Sequence, residues 1–104
     1  MKIYISGPIS GIEINIAYQI FERAENKLIS EGYEVVNPMK LDHYHGKTWT
    51  DYMKEDLKAM MDCDAIFMLP QWRSSAGAKI EHDLAKKLGI DIFYFYKFLK
   101  QRKT

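Results

Sequence analysis

A single cysteine, Cys63, leaves the 104-residue chain with no internal disulfide and no CxxC redox or zinc pair. Long hydrophobic runs are missing too. The longest apolar stretches, residues 65–70 and 92–96, fall far short of the roughly 20 residues a membrane span needs. Neither sign of charge dominates, since Lys+Arg 15 against Asp+Glu 14 leaves a formal net of +1. That balance argues against a strongly basic nucleic-acid binder and against an acidic tail. Met-Lys-Ile-Tyr-Ile-Ser-Gly reaches a turn by its seventh residue, too soon for the apolar region of a signal peptide. No repeat, linker or low-complexity run divides the chain. The expectation is one cytoplasmic domain that engages neither a membrane nor a nucleic-acid polymer. Apolar residues make up 47% and aromatics 13%, ample for a core that buries roughly two-thirds of the unfolded surface.

The apolar pattern alternates between two periods. Residues 2–6 form a short apolar run that ends at Ser6-Gly7-Pro8, as a buried strand entering a turn would. Residues 13–30 carry Ala17, Ile20, Phe21, Ala24 and Leu28 at helical spacing, and Gly32 stops that helix. Residues 33–36 read as a second strand closed by Asn37-Pro38. Thr48, with Asp51 three residues on, is placed to cap a second helix whose apolar side holds Trp49, Tyr52, Met53, Leu57, Met60 and Met61. A third strand is expected over 64–69, a third helix over 76–88 and a fourth strand over 90–96. Residues 1–96 then form the domain, and 97–104, with four basic residues, a frayed or helical tail. Unbroken apolar strands alternating with amphipathic helices predict a parallel α/β sheet covered on both faces. Right-handed crossovers give the strand order 2-1-3-4, with strands 1 and 3 meeting at the switch point where ligands enter such sheets.

Two acids break the helical pattern. On the second helix Asp56 falls inside the apolar arc, between Tyr52 and Trp49. On the third, Glu81 lies near the middle of an arc running from Ile80 through Leu84, Gly77, Leu88 and Ala85 to Ala78. An inward carboxylate costs several kcal/mol unless it is paired or hydrogen-bonded. One explanation is structural: Asp56 caps a loop, and Glu81 pairs with Arg73 or Lys2. The other is a catalytic pair, one nucleophile or base and one acid, whose unlike environments push their pKa values apart.

The loops around the predicted switch point add further candidates. Arg73-Ser74-Ser75-Ala76-Gly77 enters the third helix where unpaired N–H groups favour an anion, although a serine N-cap alone explains the same residues. Ser6-Gly7-Pro8-Ile9-Ser10-Gly11 is either an ordinary turn or a close approach to a small ligand. It lacks the spacing of a dinucleotide or Walker loop. Trp72 and Trp49 are expected either to stack on a planar base or to fill core. Tyr4 either fills core or orients a carboxylate. Cys63 reads as a small buried hydrophobe rather than a nucleophile. His43 and His45 with Asp42 have weak spacing for a metal, and that loop reads as a lid or a solvated segment.

Three segments in register resemble the nucleoside 2-deoxyribosyltransferase family: Lys2-Ile3-Tyr4-Ile5-Ser6-Gly7-Pro8, Asp56-Leu57 eight residues before Asp64, and Ser75-Ala76-Gly77-Ala78-Lys79-Ile80-Glu81. The similarity runs from Tyr4 to about Phe95. It is nearest to the small branch of 2′-deoxynucleoside 5′-phosphate N-hydrolases and to uncharacterised phage and bacterial domains. The resemblance implies a flavodoxin-like three-layer α/β/α fold with a parallel sheet of four to five strands, and homo-oligomers, dimer or higher. It implies Glu81 as the nucleophile at C1′ of the sugar, Tyr4 as the hydroxyl that holds it, and Asp56 as an aid to base departure. Ser75 and Gly77 match the turn that receives a 5′-phosphate. Pro8 and Ser10 stand where the N-hydrolases carry a serine and an arginine, which leaves Arg73 to substitute. The substrate-binding set then comprises Ser6, Gly7, Pro8, Ser10, Gly11, Trp72, Arg73, Ser75 and Gly77.

The expected function is cleavage or transfer at the N-glycosidic bond of a nucleoside or nucleotide, with no metal or organic cofactor. Two rivals share the fold: a nucleotide sensor in which Glu81 reads a ribose hydroxyl, and an oligomerisation module in which the acids bond across an interface.

Overall fold

The computed structural model describes residues 1–41 and 48–95. Four strands, β1 (Lys2–Ser6), β2 (Glu34–Val36), β3 (Ala65–Met68) and β4 (Asp91–Tyr94), form one sheet in the order β2-β1-β3-β4. All three pairings are parallel, with Tyr4 opposite Val36 and Ile66, and Met68 opposite Tyr94. Helices α1 (Ile14–Ser30), α2 (Trp49–Met61) and α3 (Ala76–Leu88) supply the crossovers. The architecture is the expected flavodoxin-like one, with four strands among the described residues. The strands are shorter at their ends than the apolar runs suggest. Asp64, for example, lies outside β3, where its carboxylate accepts from the Lys2 amide at 2.9 Å.

Alternation along the strands divides the core in two. Ile3, Ile5, Ala65, Phe67 and Leu69 pack with Phe21, Ala24 and Leu28 of α1. Tyr4, Ile66 and Met68 point the other way and pack with Met60 of α2 and with Ala78 and Ala85 of α3. Because successive strand residues face opposite sides, Tyr4 and Ser6 share the α2/α3 face. Burying a side chain such as Phe21 contributes about 1.5–3 kcal/mol, so these two clusters hold the layers together.

Helix boundaries follow local chemistry. The Thr48 hydroxyl accepts from Asp51 N at 3.2 Å, and the Asp51 carboxylate accepts from Thr48 N at 3.1 Å, forming the capping box that starts α2. The Ser75 hydroxyl accepts from Ala78 N at 3.1 Å at the start of α3, and Gly89 ends that helix at φ +75. The apolar arcs are wider than the buried faces. Trp49, Met61, Ile80 and Leu88 lie about half exposed, because they sit at helix ends or arc edges that the sheet does not reach. The tail from residue 97, and the loop carrying Asp42, His43 and His45, lie outside the described residues.

Candidate functional site

At the carboxyl end of β1 and β3, α2 and α3 lean on the same sheet face and leave a cleft of about 490 Å³. One side is built from Gly7, Ile9 and Ser10 after β1, from Ile14, and from Pro38 and Met39 of a 3-10 turn that follows β2. The other side carries Trp49, Tyr52, Met53 and Asp56 of α2, with Ser74–Ala78 and Glu81 around the start of α3. Two close approaches give the cleft its shape. A Cβ on Gly7 would lie 2.8 Å from Leu69 Cβ and Cδ1, and one on Gly77 would lie 3.0 Å from Met53 Sδ. Bulk at either position has to displace a neighbouring wall.

Glu81 projects from α3 toward the sheet and is only 5% exposed. Its two oxygens are held separately. The Tyr4 hydroxyl donates to Oε2 at 2.7 Å, and the Ser6 hydroxyl donates to Oε1 at 2.6 Å. Burial dominates the carboxyl's titration and raises its pKa from 4.5 to about 7. The hydroxyls of Ser6 and Tyr4 oppose that rise by favouring the anion, and the nearby Asp56 charge adds to it. Burial, then the charges of Glu81 and Asp56, push the Tyr4 phenol well above its ordinary value, so it remains a donor. Asp56, 7% exposed, lines the cleft on the facing helix. The result is an acid able to change charge near neutral pH, beside a second carboxyl and under partly apolar walls. Such a pair can attack an electrophilic carbon and move a proton.

The structural alternatives for Glu81 do not hold. Its partners are hydroxyls rather than Arg73 or Lys2, and the Lys2 ammonium lies 3.9 Å from Glu34 instead. Several expected substrate contacts are also placed elsewhere. Ser6 is sealed behind Glu81, and Pro8 and Gly11 do not line the cleft. Trp72 stacks on His82 with ring centroids 4.1 Å apart, and the Arg73 guanidinium sits 4.8 Å from the Trp72 ring centre. Both residues line a separate hollow beside Tyr94 and Phe95, so Arg73 does not substitute for a first-loop arginine in this cleft. The reason is local. Gln71 takes a left-handed conformation at φ +69 and starts a 3-10 turn over Trp72–Ser74, which sends these side chains toward β4. Gly7, Ser10, Ser75 and Gly77 do line the cleft.

Sequence reading missed Ile14, Pro38, Met39, Tyr52 and Met53 as cleft residues. Asn37-Pro38 carried the available signal, being a turn at the carboxyl end of the strand beside β1. The Asn37 side chain accepts from Met39 N at 2.9 Å and donates to Glu25 at 3.2 Å, which anchors that wall. Cys63 is buried, and burial raises its thiol pKa to about 11, in keeping with a packing role. Among the described residues, no group of three His, Cys, Asp or Glu side chains is arranged to hold a metal ion, and no helix is long and apolar enough to cross a membrane.

Sheet order and helix placement define a flavodoxin-like α/β protein, with the Glu81 and Asp56 carboxyls lining a cleft at the switch point. Residues 1–94 match the family described as "Domain of unknown function (DUF4406)", and the chain belongs to that family. No curated protein matches the sequence. Among solved structures, the fold is similar to that of a 2-deoxyribosyltransferase from the psychrotolerant bacterium Bacillus psychrosaccharolyticus. The TM-score is 0.71 at 22% identity, over 90% of this chain and 71% of that one.

Proposed function

We propose that the protein acts at the N-glycosidic bond of a nucleoside or its 5′-phosphate, with Glu81 as nucleophile. The observation that carries this reading is a buried carboxyl, held by two hydroxyls, at the floor of a cleft of about 490 Å³. That volume falls in the range of small-ligand sites. The fold shared with a 2-deoxyribosyltransferase supports the same chemistry.

In the proposed reaction a Glu81 oxygen bonds to C1′ as the C1′–N bond breaks. The bonding pair leaves with the base. The one proton that the Glu81–Asp56 pair holds resides on Asp56 while Glu81 attacks as the anion, and it passes to the departing nitrogen directly or through a water. Water then gives a proton to the Asp56 carboxylate and bonds to C1′ as the C1′–Glu81 bond breaks, which completes a hydrolysis and restores the pair. A second base attacking in the same way completes a transfer. Ser75, Ala76 and Gly77 line the cleft at the start of α3, where the partial positive charge of a helix N-terminus suits a sugar hydroxyl or a 5′-phosphate. Trp49 and Tyr52 offer flat surfaces for the base on the α2 side.

The test is a chromatographic screen for free base. The full chain is incubated with each common nucleoside, deoxynucleoside and 5′-phosphate, with and without an acceptor base, beside Glu81→Ala. Base release that disappears in the variant is the expected result, and acceptor dependence separates transferase from hydrolase. Release that survives in Glu81→Ala would remove the nucleophile assignment. Binding without release from any substrate would favour the nucleotide sensor.

A further inference from the structure

The Ser6 hydroxyl is misplaced for a substrate contact and well placed for another task. Ser6 is 1% exposed, sits on the α2/α3 face of the central strand β1, and does not line the cleft. A serine hydroxyl has one proton, and here that proton points at Glu81 Oε1 across 2.6 Å. Tyr4, two residues earlier on the same strand face, directs its own proton at Oε2 across 2.7 Å. Both distances fit charge-assisted O–H···O⁻ bonds. One donor alone leaves a carboxylate able to rotate about its bond to the chain. Two donors, one on each oxygen and both mounted on the same strand, fix its plane.

We propose that Ser6 is a positioning residue for Glu81, and that its hydroxyl, together with that of Tyr4, locks the carboxylate plane and holds the group in the ionised form that can attack. The inference rests on the nucleophilic reading of Glu81. Among the described residues, Tyr4 from β1 and Asp56 from α2 are the titratable groups that act on it. Asp56 and burial disfavour the anion, so the two hydroxyls carry the opposing contribution. A Glu81 that accepts a proton has to give up or reverse one of these bonds. Ser6 therefore sets the lower pH at which the site can work, without touching substrate.

Ser6→Ala and Ser6→Thr in the full chain test the proposal with two readouts. The first is the Glu81 carboxyl titration by carbon-13 NMR, assigned with Glu81→Gln. The second is the pH profile of kcat/KM for base release. Ser6→Ala is expected to move the midpoint up by about one unit, the worth of one hydrogen bond to a charged group. Activity then falls about tenfold at pH 6 and stays near wild type at pH 9, a pattern that follows from ionised fraction alone. Ser6→Thr, which keeps the hydroxyl, restores both. Should Ser6→Ala fail to fold, Ser6→Cys keeps the volume with a weaker donor and is expected to shift the midpoint in the same direction. An unchanged midpoint overturns the proposal, whether activity is unaffected or falls equally at every pH. If the wild type releases no base from any substrate, the nucleophilic reading fails, while the titration still decides whether Ser6 holds the carboxylate.

Discussion

The Tyr4 hydroxyl reaches Glu81 Oε2 at 2.7 Å across 77 positions of sequence. The bond joins the central strand to α3 and runs from a phenol that burial keeps protonated to a carboxyl that titrates near neutral pH. Removing the hydroxyl while keeping the ring isolates its contribution. Tyr4→Phe is expected to lower kcat for base release by about 10- to 100-fold, equal to one charged hydrogen bond of 1.5–3 kcal/mol. Steady-state kinetics on the best substrate of the screen check this, and an unchanged kcat would detach Tyr4 from the site's chemistry.

Glu81 also leaves a mark on folding stability. The folded protein holds this proton up to about pH 7, whereas an unperturbed glutamate releases it near 4.5. Between those values the folded state binds more protons than the unfolded one. The contribution of Glu81 is therefore fully present below pH 4.5 and is lost as pH rises through 7. The loss amounts to roughly 3 kcal/mol. Glu81→Gln lacks this titration, so its stability relative to wild type should rise between pH 5 and pH 8. Urea unfolding at both pH values measures the difference, and a flat difference would contradict the raised pKa.

The two tryptophans should behave differently. Trp49 is 49% exposed and lines the cleft, so Trp49→Ala is expected to raise KM several-fold at a stability cost below about 1 kcal/mol. Trp72 lies outside the cleft, stacked on a His82 whose Nε2 is 2.7 Å from the Tyr94 hydroxyl. Trp72→Ala should leave KM near wild type and cost about 2 kcal/mol of stability through lost stacking and burial. Kinetics and denaturant unfolding on both variants distinguish the roles, and a KM effect confined to Trp72→Ala would reverse the assignment.

Gly7 tests how tightly the switch point is built. Its missing Cβ would stand 2.8 Å from Leu69 Cβ, and the Leu69 amide is tied to the Ser6 carbonyl by a 2.8 Å hydrogen bond. The two loops cannot separate without straining that bond. Gly7→Ala is expected to destabilise the protein by about 1–3 kcal/mol. Thermal or urea unfolding reads the change directly, and a neutral result would mean that the Leu69 wall yields freely.

Much of this site was legible because periodicity reports direction. The helical wheel placed Asp56 and Glu81 among apolar neighbours, and both prove buried. The loops were less readable because they have no period. Nothing in Pro70-Gln71-Trp72-Arg73 announces that Gln71 turns left-handed and carries Trp72 and Arg73 away from the cleft. Trp49 was ambiguous for a related reason. A wheel gives the angle of a side chain about its helix but not whether the sheet extends beneath that turn.

The sequence by itself determined the alternation of strands and helices, the caps that start α2 and α3, and the inward direction of two acids. Each of these is a relation between a residue and neighbours a few positions away. Only the tertiary structure decided that Tyr4 and Ser6 divide the two oxygens of Glu81, that Ser6 is closed off from the cleft, and that Trp72 belongs to His82. Those contacts depend on how β1 and α3 cross on one face of the sheet. Local periodicity aims a side chain, and the packing of distant elements selects what it meets.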